Sequence, residues 1–239
     1  MALQASKDST SREDTASASS SSDLQSDIQQ EAKVPELEPE LWSHCIEWPK
    51  GLDTWFLPKD SLETLITEHS IFQELFGKLK PMTDHQLLLA VKKYHRSASK
   101  LFALLALVNK ARFIIDFVDK DGLSDLDLPF SRSTDTLSAL DIKLHPAGQE
   151  TKIIEAMQNW SSRDIRQLNS VQWTVLAPFF DIDKLHINVT YPDNTIFPFE
   201  YDEVNDARNP SGAHGTVWKV RIHPAHHNFP NNSNNVRAH

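Results

Sequence analysis

The sequence predicts a mainly α-helical protein in which a helical bundle region is followed by a small β segment, between disordered termini. Apolar residues recur at helical spacing through much of the chain from residue 60 to residue 117. Strict alternation of apolar and polar side chains appears later, at 185–190 and again at 218–222. Serine and acidic residues dominate 1–33, and such a segment buries too little apolar area to offset its conformational entropy.

The composition narrows the class of protein. The chain has 239 residues, of which 39% are hydrophobic, and this is adequate for one or two domains. Its net charge of −9 argues against the basic face of a nucleic-acid binder, so no nucleic-acid partner is expected. The single cysteine, Cys45, excludes an internal disulfide and fits a reducing compartment. No signal peptide or bilayer-spanning apolar run is visible, so we expect a cytoplasmic or nucleo-cytoplasmic protein without membrane contact.

Four regions follow from these patterns. We expect a disordered tail rich in serine and acidic residues, a helical regulatory region, a β-containing segment and a second disordered tail rich in asparagine. We expect a protein partner, if there is one, to bind through the helical region. The bounds of the four regions are 1–33, 36–170, 171–229 and 230–239.

Aromatic residues cluster just before the first predicted helix. Trp42, Trp48, Trp55 and Phe56 lie close together in the chain, accompanied by two prolines. We interpret them as an aromatic lead-in that packs onto the helices behind it. The alternative is an aromatic cage for a methylated ligand, because the faces of aromatic rings attract alkylated ammonium groups.

Three helices joined by short loops are predicted to form a small bundle. The first begins at Asp60 or Ser61 and carries an apolar stripe that ends near Gly77. Either Thr83 or Asp84 caps the second helix. The third helix runs from about residue 97 to about residue 117. We interpret the three apolar stripes as an internal core, and docking of a partner helix is the alternative.

Shorter elements are predicted between residues 119 and 199. The segment 119–122 resembles part of a calcium-binding loop, but Phe117 and Leu128 occupy two positions that need oxygen ligands, so a turn is predicted. Beyond it we expect a short helix, a strand and a short extended piece, respectively near 150–160, 185–190 and 196–199.

Three histidines near the C-terminal end are the candidate metal ligands. His223, His226 and His227 carry imidazoles, which bind zinc and copper readily. No cysteine or carboxylate stands beside them in the sequence, and Pro224 restricts the backbone after the first of them. No metal site is therefore predicted.

Two glycines organise the C-terminal part of the chain. Gly212 and Gly215 stand three residues apart, and Val217 follows at the start of an alternating run. Glycines let backbone N–H groups approach an anion without an intervening Cβ, and a valine past the turn can lie against an adenine ring. The pattern Gly212-x-x-Gly215-x-Val217 resembles the last part of the protein-kinase glycine-rich loop, G-x-G-x-x-G-x-V.

The resemblance extends to other short pieces within roughly residues 50–229. The run that begins at Val217 is similar to the second strand of filamentous-fungal serine/threonine protein-kinase-like proteins. Pro210 stands in place of the first glycine of the loop and removes one N–H donor. Four further pieces resemble the helical region that precedes the kinase domain in that group, and they begin at Phe56, Lys100, Ser124 and Gln172.

The resemblance implies the N-terminal, non-catalytic portion of a kinase-like protein, with a helical regulatory region and a partial ATP-binding loop. Gly212, Gly215 and Val217 would be its cofactor-binding residues, contacting ATP and magnesium only within a full kinase domain. A kinase also needs a lysine and two aspartates that follow the glycine-rich loop, which covers the phosphates like a flap. Nothing after Phe229 supplies these residues. The chain as given is predicted to have no catalytic residue, no bound cofactor and no activity. The alternative is a non-catalytic helical protein-interaction module with a vestigial kinase flap.

One further motif resembles a kinase catalytic loop. Asp164 and Asn169 reproduce the spacing of H-R-D-x-x-x-x-N, with Ser162 in place of the histidine. The catalytic loop of a kinase follows the glycine flap in the chain, whereas this motif precedes it. We therefore interpret the segment as an amphipathic helical turn that buries Ile165 and Leu168.

Overall fold

A computed structural model describes the chain from residue 36 onward, with gaps. For the strands between 211 and 219 and at 235–238, only the backbone is described. The predicted tail 1–33 and the candidate residue Val217 lie outside the described residues. The described ranges are 36–76, 78, 82–133, 142–184, 188–200, 211–212, 215–216, 218–230 and 235–238.

Within these ranges the regular structure consists of six α-helices and nine short strands, which confirms the mainly α class. The helices are α1 (Leu37–Ser43), α2 (Lys59–Leu65), α3 (Glu68–Leu75), α4 (Asp84–Ser97), α5 (Ser99–Leu107) and α6 (Ser162–Val175). The strands are β1 (Ile46–Glu47), β2 (Trp55–Phe56), β3 (Ser131–Arg132), β4 (Leu144–His145), β5 (Phe199–Glu200), β6 (Ser211–Gly212), β7 (Gly215–Thr216), β8 (Trp218–Ile222) and β9 (Asn235–Ala238).

Helix α5 lies at the centre of the core. Its residues from Leu101 to Leu107 are all apolar and all buried. A helix that is apolar on every side is stable in water only when other elements cover all of its faces. Helices α1, α4 and α6 pack against it and provide that cover. None of the helices in the described ranges has the length and apolarity needed to cross a bilayer.

Two threonines begin helices in the first part of the helical region by capping them. Thr83 caps α4, where its hydroxyl accepts a hydrogen bond from the Gln86 N–H at 3.3 Å, as the sequence predicts. The single helix predicted between residue 60 and Gly77 is instead two helices, α2 and α3. Thr67 separates them, because its extended backbone and its hydroxyl bond to the Ser70 N–H start a new helix.

The third predicted helix is shorter than expected. Helix α5 ends at Leu107 because Asn109 adopts a left-handed backbone with φ of 56°. The Lys110 N–H then donates to the Leu105 carbonyl at 2.7 Å, which closes the end of the helix. A 3₁₀ turn at Ala111–Phe113 and a π-helical turn at Asp116–Lys120 continue the chain. The helix predicted near 150–160 is only a 3₁₀ turn at Glu155–Met157.

The β segment is small and antiparallel. Strand β8 lies between β5 and β9, while β1–β2, β3–β4 and β6–β7 form separate two-stranded pairs. Val220 and Ile222 are buried and Arg221 between them is exposed, so the predicted alternation is confirmed over these residues. One prediction differs from the structure: residues 188–190 of the strand predicted at 185–190 are exposed and outside any strand, while 185–187 lie outside the described residues. Within 230–239, the backbone of β9 pairs with β8.

Candidate functional site

The glycine motif forms a backbone hairpin. Strands β6 and β7 pair antiparallel, with Gly212 opposite Gly215 and Ser211 opposite Thr216. Two residues, 213 and 214, connect the strands and lie outside the described ones, as does Val217. The structure therefore brings two of the three predicted cofactor-binding residues into register.

The three histidines serve the fold in different ways. His226 is buried, and its Nε2 accepts a hydrogen bond from the Lys59 N–H at 3.0 Å while its Nδ1–H donates to the Pro178 carbonyl at 2.9 Å. Both ring nitrogens of His226 are thus occupied by backbone groups of distant segments. His223 and His227 each accept a hydrogen bond from a nearby backbone N–H. Across the described ranges, no cluster of three histidine, cysteine or acidic side chains could hold a metal ion.

Acidification is expected to destabilise the fold through His226. Burial lowers the pKa of His226 from 6.5 to about 4, so the unfolded chain binds a proton there before the folded chain does. The stabilising effect of the neutral ring is complete above pH 6.5 and is lost as the pH falls towards 4. The loss approaches about 3 kcal/mol.

Urea unfolding between pH 7 and pH 4.5 measures this dependence. The His226→Gln variant cannot titrate, so its free energy of unfolding should fall less steeply with pH than that of the wild type. His85→Gln replaces an exposed histidine of α4 and should retain the wild-type slope. Equal slopes for the wild type and His226→Gln would contradict the prediction.

The kinase-like motif on α6 is structural. Ile165 and Leu168 are buried in the core, which confirms the interpretation as an amphipathic helix. Asp164 lies in the first turn of α6, where the Ser161 hydroxyl and the Lys110 ammonium hold the pKa of its carboxyl below the usual value. The side-chain oxygen of Asn169 accepts a hydrogen bond from Gln172 at 3.1 Å. These two residues of the motif therefore take part in local contacts.

The only cysteine of the chain is protected. Cys45 is buried, and its thiol donates to the Leu41 carbonyl one helical turn earlier, at 3.4 Å. Burial raises the pKa of the Cys45 thiol to about 12. A thiol with that pKa is not a nucleophile at neutral pH, because the thiolate is the reactive form.

The described residues form a cleft of about 920 Å³, which we call the tryptophan cleft. Three structural elements form its walls: the end of α1, the β1–β2 hairpin and the outer face of α6, and residues 193–197 close one side. Its volume lies in the range of sites that bind drug-sized molecules or short peptides. The lining includes the rings of Trp42, Trp48, Pro49, Trp55, Trp173 and Phe197, and the polar residues Asp53, Thr54, Asn169, Ser170, Thr174, Asp193, Asn194 and Thr195.

Hydrogen bonds fix several of these rings in place. The Trp42 indole N–H donates to the Leu107 carbonyl at 3.3 Å, at the end of the central helix. The Trp55 indole N–H donates to Asp53 Oδ1 at 3.0 Å. The Leu57 N–H donates to the Thr174 carbonyl at 2.8 Å and attaches the β1–β2 hairpin to α6. The walls of the cleft are therefore held by the fold before any ligand binds, and this lowers the entropic cost of binding.

Trp173 differs from Trp42 and Trp55, whose indole N–H groups both donate a hydrogen bond. Its indole N–H donates to no group in the described part of the chain, although the residue lines the cleft. A tryptophan at a binding surface offers a large apolar face together with one hydrogen-bond donor. Trp173 thus supplies a donor that the described residues leave unused.

The charge of the lining has one sign. Asp53 and Asp193 are both exposed, and the part of the lining that the structure describes contains no lysine, arginine or histidine. Asp53 has a left-handed backbone with φ of 53°, a conformation that is uncommon for residues other than glycine and asparagine. The tight turn at Asp53 places its carboxylate where it accepts the Trp55 N–H. The cleft therefore combines aromatic walls with an acidic edge.

The sequence predicted this site only in part. It identified Trp42, Trp48 and Trp55 as one cluster, and packing of Trp42 and Trp55 against the core is confirmed. Phe56 of the same cluster is fully buried and takes no part in the cleft. The same rings that pack against the core also line an open cleft. Trp173 and Asp193 were not predicted to belong to this site, because they lie more than a hundred residues further along the chain and no local pattern marks them.

The chain was compared with models of protein families, with curated proteins and with solved structures, and no match was found.

Proposed function

We propose that this chain contains a non-catalytic binding module whose ligand site is the tryptophan cleft. The observation that carries the proposal is the cleft itself: a concavity of about 920 Å³ walled by four of the six tryptophans of the chain. Tryptophan is enriched at the centres of protein interfaces, where its ring contributes much of the binding free energy. This is the interaction-module alternative of the sequence analysis, with the binding surface now assigned to named residues.

Two carboxylates, those of Asp125 and Asp121, bond to backbone groups of the fold, and this supports a binding role over a catalytic one. The half-buried Asp125 accepts hydrogen bonds from the N–H groups of Lys100 and Leu101 and caps the central helix. Asp121 in the same way accepts from the N–H groups of Glu155 and Ala156. General acid–base catalysis needs a side chain that can reach a proton of the substrate. These two carboxylates instead satisfy backbone donors of the fold.

A peptide library tests the proposal. Random peptides displayed on phage are selected against the wild-type chain, and the selected peptides are then measured against Ser170→Arg. Ser170 is an exposed residue of the cleft wall on α6, so an arginine there fills the cleft without disturbing the core. We expect binding to fall about tenfold or more, because the ligand loses its contact surface.

The matched control is the same substitution elsewhere. Ser97 is exposed at the last position of α4, and Ser97→Arg should leave binding of the selected peptides unchanged. Thermal unfolding of both variants verifies that they remain folded. Selection of no peptide, or of peptides that bind Ser170→Arg as tightly as the wild type, would reject the cleft as the binding site.

As a second candidate, we propose that the Gly212–Gly215 hairpin is the phosphate-covering part of a kinase-like protein, as the resemblance implies. The register of the hairpin favours it, because Gly212 and Gly215 face each other across β6 and β7, and β8 follows directly. Backbone N–H groups at such glycines can approach a phosphate closely. ATP and magnesium would be its ligands only in a complete kinase domain.

Calorimetry with magnesium and ATP tests this second candidate. A hairpin that lacks a facing wall for the adenine should bind ATP with a Kd weaker than about 1 mM, because immobilising the ligand costs nearly as much while fewer contacts form. Gly215→Val adds a side chain at the hairpin. Micromolar binding that this substitution abolishes would show that the hairpin binds nucleotide without further elements.

A further inference from the structure

The shape and chemistry of the tryptophan cleft restrict what can occupy it. Its volume of about 920 Å³ is larger than one ammonium head group needs, so a cage for a single methylated side chain would leave most of it empty. The aromatic walls favour an apolar ligand with flat contact surfaces. The open form of the cleft favours an extended segment over a compact small molecule.

The hydrogen-bonding groups of the cleft favour a ligand with free carbonyl oxygens. Trp173 offers an indole N–H that no described residue accepts, and the side-chain amides of Asn169 and Asn194 add donors in the same lining. A polyproline II helix has no internal hydrogen bonds, so its carbonyl oxygens all point outwards and remain available. Its proline rings pack against aromatic side chains, and its backbone loses little entropy on binding.

The acidic edge selects the charge of the ligand. Among the described residues of the lining, Asp53 and Asp193 are the only charged ones, and both are exposed. They attract an arginine or lysine side chain and repel phosphate groups and acidic peptides. The first 35 residues of the chain contain three basic and six acidic side chains, so this segment is a poor match for the cleft.

We propose that the tryptophan cleft binds a proline-rich segment of a partner protein that carries a basic residue, an inference that rests on the proposed function above. In this arrangement proline rings stack on Trp42, Trp48 and Trp55, and a peptide carbonyl accepts the hydrogen bond of the Trp173 indole. The basic side chain of the peptide pairs with Asp53 or Asp193.

Three synthetic peptides of about ten residues, about 30 Å long as polyproline II helices, test the proposal. The first contains repeated prolines and one terminal arginine, the second carries glutamate in place of the arginine, and the third has alanine at every proline position. Calorimetry should give the first peptide a Kd of about 1–100 μM. The glutamate peptide should bind about tenfold more weakly because it meets two carboxylates. The alanine peptide should show no measurable binding.

Protein variants assign these effects to residues. In the double variant Asp53→Asn with Asp193→Asn, the arginine and glutamate peptides should bind within about twofold of each other. Asparagine at position 53 keeps the oxygen that accepts the Trp55 N–H and tolerates the left-handed backbone, so the turn is preserved. Asp183→Asn removes an exposed carboxylate outside the cleft and should leave the tenfold difference intact.

The indole donor has its own test. Trp173→Phe keeps an aromatic ring but removes the N–H. It should weaken the binding of the arginine peptide and of the glutamate peptide equally, by about three- to tenfold. Equal binding of the proline and alanine peptides, or of the arginine and glutamate peptides, would overturn the inference. The inference would also be overturned if a second copy of this chain occupied the cleft. The chain would then form a dimer in solution, and the peptide would dissociate it.

The two proposals fail in different ways. Library peptides that lack proline and basic residues but lose their affinity for Ser170→Arg would overturn this inference and leave the binding module in place. Absence of binding by both the library and the synthetic peptides would overturn both.

Discussion

Replacing Leu104 by alanine is expected to lower the free energy of unfolding by about 4 kcal/mol. The Leu104 side chain is 0% exposed and lies in the middle of α5, where neighbouring helices surround it on all sides. Removing its branched end loses the transfer free energy of the buried carbons and leaves a cavity. Because α1, α4 and α6 all pack on this helix, the surroundings cannot collapse far into the space.

The matched control is another leucine of the same chain. Leu126 is 92% exposed in a 3₁₀ turn, so Leu126→Ala should change stability by less than about 0.5 kcal/mol. Urea unfolding monitored by tryptophan fluorescence measures both variants against the wild type. A loss below about 1 kcal/mol for Leu104→Ala would show that α5 is not the centre of a close-packed core.

Local patterns of the sequence predicted the elements whose signals are themselves local. The spacing of apolar residues on α4 and α6 and the threonine cap of α4 need only neighbours in the chain, and these predictions are confirmed. The buried apolar residues from Leu101 to Leu107 lie inside the third predicted helix, whose apolar stripe we interpret as part of an internal core. Periodicity reports which face is buried, but it does not report what covers that face.

Predictions failed where a single residue changes the backbone or where a distant residue supplies a contact. Thr67 divides one predicted helix into two, and Asn109 ends another because its backbone becomes left-handed. Helix α5 begins after Ala98, which has no capping side chain, and its first N–H groups bond to Asp125 instead. A cap supplied from more than twenty residues away leaves no mark in the local pattern.

The tryptophan cleft could not be predicted because residues distant in the chain form it together. Trp42 and Trp55 come from the start of the helical region, whereas Trp173 lies on α6 and Asp193 lies in the segment that follows α6. Only the packing of the β1–β2 hairpin against α6 brings them together, through the bond from the Leu57 N–H to the Thr174 carbonyl. The sequence could therefore show aromatic residues without showing that they share a cleft.

Gln172 of α6 occupies a position of the buried face of the helix although its side chain is polar. Its side chain is fully buried and pairs with the backbone of Phe130. The Gln172 oxygen accepts a hydrogen bond from the Phe130 N–H at 2.7 Å, and its amide donates to the Phe130 carbonyl at 3.0 Å. The amide thus replaces the strand neighbour that this buried peptide group would otherwise need.

Replacing Gln172 by leucine is expected to lower the free energy of unfolding by about 3 kcal/mol. Leucine has a similar size, so little cavity forms, but the N–H and carbonyl of Phe130 remain buried without partners. Each of these groups then loses its hydrogen bond without regaining water. Gln167→Leu, at an exposed position of the same helix, controls for the change of residue type and should shift stability by less than about 0.5 kcal/mol. Urea unfolding of the two variants separates the effects, and equal stability would show that the pairing with Phe130 contributes nothing to the fold.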